Sequence, residues 1–334
     1  MPRHPGLPRP TSRQLVKGEL LQLLQAVDSD EAAKQRVLRM ETVFRQRIVS
    51  HVESLPTHDA RLRKFNKSPF VLMFYSLQHH YSHIREIEKA ILPAKVFSSM
   101  ETSAGRMVEA VVLPIYGWEI VQSAMHTTES AIDGRKSEGD TLKLATLKSG
   151  PRCLNDEMSE NLADAILGNA VAWARSASAT KVDFTYGVLY GTPRQSNKKD
   201  WHILRNIAEK FPDDMIAAPD NKWDCKFVKD GVEIAVTIRI GYELWNYIAG
   251  RDTAFMELCV ALIRACVASS NAEPDDYQFT IADIENIISL ENTPDDYNVA
   301  ILHRSQLEWL FFFAYHFCDE LLSAPLPRSQ SSND

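Results

Sequence analysis

Apolar residues recur at helical spacing through the first ninety positions. Leu15, Leu20, Leu21, Leu23 and Leu24 crowd one stripe, and Val37, Met40, Val43, Phe44, Ile48 and Val52 form a second. Pro56 and Pro69 punctuate these helices, and the spacing predicts another over 70–92, closed by Pro93. After residue 100 the periods mix. Residues 105–113 fit a helix. Residues 142–148 alternate like a strand, after a weaker extended stretch from Ala131 and a polar turn at Gly139-Asp-Thr141. Residues 155–177 return to helical spacing through Leu162, Ile166, Leu167, Val171 and Trp173, with Asn155 or Asp156 available as N-cap. Alternation resumes at 182–190 and 234–240, and 253–269 reads as a long apolar helix. A helix between strands calls for a crossover, hence a mixed α/β sheet with parallel pairs and helices on its faces. Residues 307–322 are apolar nearly all round and predict a core helix, or failing that a dimer contact. The expected layout is a disordered head (1–12), a helical N-terminal region (13–100), an α/β core with C-terminal helices (101–322) and a disordered tail (323–334).

Composition narrows the class. A chain of 334 residues with 45% apolar and 24% charged residues, but only 13 Gly and 16 Pro, can bury a large core, which rules out disordered, collagen and coiled-coil chains. Thirty-seven Lys and Arg against 44 Asp and Glu leave a net charge of -7. No global basic field therefore advertises a polyanion, although a cleft that gathers carboxylates around a metal and keeps cations at its rim is compatible with that total. The five cysteines form no CxxC pair and read as reduced thiols. No apolar signal segment opens the chain and no run is long enough to span a bilayer, so a cytoplasmic protein without a membrane partner is expected. GxGxxG, P-loop, GxSxG and HExxH patterns do not occur, which leaves a nucleotide cofactor or zincin chemistry unsupported. His79 and His83 stand at i, i+4, but no Glu or Cys completes a zinc set.

The hairpin after residue 131 carries the most chemistry. With its turn centred between Asp140 and Thr141, Asp133 on the first strand faces Lys148 at the end of the second. Phosphodiester hydrolysis uses such a pair: carboxylates hold Mg²⁺, and an ammonium orients the attacking water and offsets charge on the phosphorus. The plain alternative is a surface hairpin with an incidental ion pair.

Several segments, in order, resemble the Type II restriction endonucleases of the PD-(D/E)xK superfamily that cleave interrupted palindromes with a GGNCC or CCNGG core. They are Asn66-Lys-Ser-Pro-Phe70, Thr102-Ser-Ala-Gly-Arg-Met-Val-Glu109 with Leu113-Pro-Ile-Tyr-Gly117, Ile132-Asp133 with Leu147-Lys-Ser-Gly150, Tyr186-Gly-Val-Leu-Tyr-Gly191, Asp200-Trp-His-Ile-Leu-Arg205, and Tyr242-Glu-Leu-Trp245. The resemblance implies a site-specific deoxyribonuclease on double-stranded DNA, dependent on Mg²⁺ and working as a homodimer. Asp133 and Lys148 match its catalytic positions. Two departures stand out. Ile132 replaces the usual Pro, and Thr146 occupies the place of the second acid. Some related enzymes take that carboxylate from the following helix, where Glu160 sits and Glu157 is near. Glu109 resembles an accessory acid beside the metal. The expected metal set is thus Asp133, Glu109 and Glu160, with Glu129 and Asp140 as rivals if the hairpin register differs.

DNA contacts are expected from the two loops nearest this hairpin. Arg152, Asn155 and Asp156 lie between Lys148 and a helix N-terminus, and Arg194, Gln195, Asn197, Lys198 and Lys199 share one polar segment. The basic run 61–67 either clamps phosphates or is a solvated helix face. Two alternative functions remain at this stage: a DNA-binding or scaffolding protein with a decayed site, suggested by Thr146, and a structure-selective repair nuclease.

Overall fold

A computed structural model of the chain describes residues 6–9, 11–54, 69–80, 82–122, 131–196, 198–271 and 278–323. Its elements begin with β1 (Gln14–Val16), α1 (Lys17–Ser29), α2 (Glu31–Ser54), α3 (Pro69–Gln78), α4 (Ile84–Ile115), β2 (Glu119–Ile120), β3 (Gly134–Glu138) and β4 (Thr141–Lys148). There follow α5 (Asp156–Ser176), β5 (Lys181–Val188), α6 (Lys199–Lys210), β6 (Met215–Ala217), β7 (Asp224–Lys229) and β8 (Val232–Ile240). The last are α7 (Tyr242–Ala249), α8 (Ala254–Cys266), α9 (Ile284–Ile288), α10 (Leu307–Tyr315) and β9 (Glu320–Leu322).

Seven strands form one sheet in the order β2-β3-β4-β5-β8-β7-β6. Its centre, β4-β5-β8, is parallel and in continuous register, from Thr141 beside Lys181 to Lys148 beside Val188, which in turn pairs with Ile240. Antiparallel pairs flank this centre on both sides. The result is the mixed α/β sheet that the alternation predicts, with α5 as the crossover between β4 and β5. Parallel strands end on one edge, so the loops after Lys148, Val188 and Ile240 emerge together, the place where open α/β sheets put their ligands.

The strand period sorts side chains to two cores. Leu142 and Leu144, then Val182, Phe184, Tyr186 and Val188, then Ile234, Val236, Ile238 and Ile240 pack with Ala163, Ile166, Ala170 and Trp173 of α5 and Trp201, Leu204 and Ile207 of α6. Ala145 and Leu147 point to the opposite core, which holds α7, α8 and α10 together with Leu20, Leu24, Val37, Met40 and Phe44 of α1 and α2. The N-terminal helices therefore share a core with the C-terminal ones. Gly187 lets α7 lie this close: a Cβ there would stand 2.6 Å from Leu244 Cδ1. Glu257 of α8, fully buried, ties the layers, accepting from Arg36 Nε and Nη2 at 2.7 and 2.8 Å and from the Tyr116 hydroxyl at 2.8 Å.

Three elements differ from the periodicity reading. The helix expected over 70–92 divides into α3 and α4, and α4 runs on through Pro93 to Ile115, absorbing the short helix expected at 105–113. A break at His79-His80, with His80 at φ +55°, separates them. The aromatic stretch 307–322 is not one helix: α10 stops at Tyr315, and 320–322 become β9, paired in parallel with β1. Finally, pairing of Gly134 with Ala145 and of Glu138 with Thr141 centres the hairpin turn on Gly139-Asp140, where Gly139 takes φ +61°. That register differs from the expected one by two residues of pairing, and it brings Asp133 level with Thr146 instead of Lys148.

Candidate active site

Asp133 sits just before β3, where the ladder gives way to an irregular pairing. Its N–H donates to Ala145 O at 2.8 Å, and its carbonyl accepts from Val121 N–H at 3.0 Å. The side chain replaces the next ladder bond: Asp133 Oδ2 accepts from Leu147 N–H at 2.6 Å. Asp133 is thereby fixed against the last turn of the pleat before Lys148. Oδ1 makes no hydrogen bond among the described residues, so one carboxylate oxygen is held and the other is available.

Glu109 of α4 joins this pair. It is part-buried, and its carboxyl is pushed up to about 7, first by burial, then by the negative charge of Asp133, against smaller opposing pulls from Lys148 and Arg106. Glu109, with the Asp133 carboxylate and the Lys148 ammonium in the same field, forms an acidic cluster at the edge where β4 ends. Neither Glu109 nor Lys148 is engaged in an ion pair among the described residues. The acid missing at 146 is explained locally: Thr146 is buried and its hydroxyl donates to the Ala131 carbonyl, closing the irregular backbone before Asp133.

The other acids lie elsewhere. Glu160 is exposed on α5 and pairs with Lys210 of α6 at 3.0 Å, which also holds Asp164 at 2.7 Å. Glu157 is exposed in the first turn of α5. Asp140 belongs to the hairpin turn, at the opposite end of β4 from Lys148, and pairs with Lys181 at 3.0 Å. Glu129 lies outside the described residues, as do Asn197, the basic run 61–67 and residues 66–68 of the first quoted segment. His83 N–H donates to Glu86 Oε2 at 2.6 Å at the start of α4.

The two expected DNA loops are joined to one another. Arg152 Nε donates to Gln195 O at 3.2 Å, and Lys199 Nζ holds both Asp156 oxygens at 2.6 Å. His202 Nδ1 also reaches Asp156, at 2.9 Å, and hydrogen bonds from Lys199 and then His202 hold the Asp156 carboxyl below its ordinary range. Asn155 is the N-cap of α5, accepting from Met158 N–H at 2.8 Å. Gln195 folds back so that its Oε1 accepts from Thr192 N–H, and Lys198 donates to Pro193 O and lies over the Trp223 ring. Among the described residues of this rim, Arg194 and the terminal amino groups of Arg152 are exposed cationic groups.

A support beneath the rim joins Asp200, which opens one of the ordered segments, to Ser196, which the sequence does not single out. Asp200, fully buried, accepts from the Ser196 hydroxyl at 2.9 Å, and that Oγ accepts from Lys198 N–H at 3.1 Å, holding Lys198 at φ +68°. Burial raises the Asp200 carboxyl, with the Tyr186 hydroxyl beside it. The Ser196/Asp200 spacing is ordinary in sequence, and only the fold shows the pair to be interior.

Beyond this geometry, the model of the family described as Type II restriction endonuclease EcoO109I matches residues 34–267, which include every residue of the acidic cluster and both loops. The chain belongs to the Type II restriction endonuclease EcoO109I family. It is accordingly a Type II restriction enzyme, a hydrolase that acts on double-stranded DNA. No curated protein matches the chain significantly. Among the described residues no helix is long and apolar enough to cross a membrane.

A divalent cation fits the cluster in its chemistry. Glu109 and Asp133 are hard oxygen donors with excess negative charge, and Mg²⁺ typically binds through one or two carboxylates and completes its shell with water and substrate phosphate. Among the described residues no third His, Cys, Asp or Glu joins them.

Proposed function

We propose that this restriction endonuclease cleaves a G/C-rich, interrupted palindrome of the GGNCC or CCNGG kind, as a homodimer, with Mg²⁺ held by Asp133 and Glu109 and with Lys148 beside it. The observation that carries the reading is the Asp133 carboxylate, fixed by Leu147 N–H beside the end of β4 that carries Lys148, with Glu109 of α4 in the same electrostatic field. A bound ion supplies Lewis acidity and positive charge at the scissile phosphate. The chain does the rest. Leu147 N–H orients Asp133, Glu109 of α4 supplies a second carboxylate that would release its proton to solvent as a cation binds, and the Lys148 ammonium aligns the attacking water and neutralises developing phosphate charge. Glu160 is the next acid to substitute if Glu109 proves dispensable.

Arg152 and Arg194 are the proposed readers of guanine O6 and N7, a bidentate contact worth about 1 to 3 kcal/mol of discrimination. Asn155, Asp156, Gln195, Asn197, Lys198 and Lys199 complete the proposed DNA rim. Asp156 and Lys199 must release one another to engage bases or phosphates.

A palindrome presents the same edges twice about a two-fold axis, which suits two copies of the chain. The proposed dimer surface is α3 with the first half of α4, where Phe70, Met73, Phe74, Leu77 and Phe97 are 71, 69, 70, 76 and 72% exposed. A second reading rests on Thr146: a protein that binds DNA at the same rim without cutting it.

Digestion of phage DNA with Mg²⁺, followed by sequencing of the fragment ends, tests the proposal. Discrete fragments whose ends share a G/C palindrome are expected. Intact DNA at high protein concentration favours the second reading, and ends without a G·C core overturn the proposed target. Sedimentation at the mass of one 37.8 kDa chain, with and without DNA, overturns the dimer.

A further inference from the structure

The approach of α4 to the end of β4 depends on a missing side chain. Gly105 is buried inside α4, and a Cβ there would lie 3.0 Å from Ser149 Cβ and 3.7 Å from both Ser149 Cα and Leu189 Cδ1. Glycine inside a helix is less stable than alanine, so helix formation gives no reason for it. The close contact does.

The same contact spaces the acidic cluster. Glu109 is four residues beyond Gly105, one turn along the same face of α4, and Ser149 directly follows Lys148. A methyl at 105 therefore displaces either α4, which carries Glu109, or the strand end, which carries Lys148. Neither has slack. The turn after Glu109 is locked into the core by Val111, Val112 and Leu113. On the strand side, Leu189 N–H donates to Lys148 O at 2.9 Å.

We infer that Gly105 is a positioning residue that sets the distance between Glu109 and the Asp133/Lys148 pair, with Ser149 as its counterpart. This rests on the proposed role of Glu109 in cleavage.

Three variants test it: Gly105→Ala, Ser149→Gly and the double variant. Gly105→Ala is expected to lower kcat about tenfold, since displacements approaching an ångström can cost about a hundredfold. Magnesium affinity, read by calorimetry without DNA, should weaken in parallel, while affinity for target DNA without Mg²⁺ stays within about twofold and Tm does not fall, because alanine's better helix propensity offsets the crowding. A purely structural role would instead lower Tm. Ser149→Gly removes the opposing Cβ, so the double variant should recover both kcat and magnesium affinity. The inference is overturned if Gly105→Ala keeps both at wild-type values, or if Ser149→Gly restores neither. Should Gly105→Ala fail to fold, Ser149→Val thickens the same contact from the other side and is expected to lower kcat and magnesium affinity likewise; wild-type values there overturn it. Glu109→Gln separates the two claims. If it cuts normally, the role of Glu109 falls and the inference with it; if it is inactive while Gly105→Ala is normal, the inference alone falls.

Discussion

Leu147 N–H donates to Asp133 Oδ2 at 2.6 Å, so a side chain stands where the hairpin's next backbone acceptor would be. The bond fixes the Asp133 carboxylate one residue short of Lys148 along β4, and the two are held by the same strand end.

Removing either charge should therefore damage chemistry more than folding. Asp133→Ala and Lys148→Ala are each expected to lower the cleavage rate by at least about a hundredfold, the scale usual for electrostatic catalytic groups. Gel-shift affinity for target DNA should survive Lys148→Ala better than cleavage does. Normal cutting by Lys148→Ala would move the active site elsewhere.

Glu109 gives the metal-free protein a pH signature. Its carboxyl ionises near 7 in the fold against an ordinary value of 4.5, so between those values the folded state holds a proton the unfolded state has released. Stability must fall as pH rises through that window and level off above it. Glu109→Gln removes this contribution. With EDTA present, the variant's Tm relative to wild type should climb from pH 4.5 to 8, and a pH-independent difference would refute the raised carboxyl.

The Arg36–Glu257 pair joins α2 to α8 with Glu257 fully buried and also bonded to Tyr116 and Thr253. Removing one partner strands a charge, so Arg36→Ala should cost about 3 to 5 kcal/mol in urea denaturation. A loss under about 1 kcal/mol would mean water reaches Glu257.

Cys153 is an exposed thiol in the loop between Lys148 and α5, and Cys266, the other exposed thiol, ends α8. N-ethylmaleimide is expected to weaken DNA binding by wild type at least about tenfold and to leave Cys153→Ser unaffected. Equal inhibition of both proteins would place the DNA rim away from this loop.

Local chemistry was legible from the sequence. Alternation in 142–148, 182–190 and 234–240 specified the strands, because a period of two sorts side chains to two faces whatever the strands' neighbours. Asn155 marked the start of α5 because capping is settled within four residues. The ordered segments from Thr102 to Tyr242 pointed to the right enzyme class. Tertiary structure alone decided where distant segments meet. The hairpin register followed from Gly139 supplying a positive φ at the turn, and it placed Thr146, not Lys148, level with Asp133. α4 continued through Pro93 because packing of its later turns against α2 and β2 outweighs one lost backbone bond. Glu109 came to Asp133, and Glu160 to Lys210, through helix placement over the sheet, and helical spacing alone does not say which acid a folded chain turns toward its strand ends.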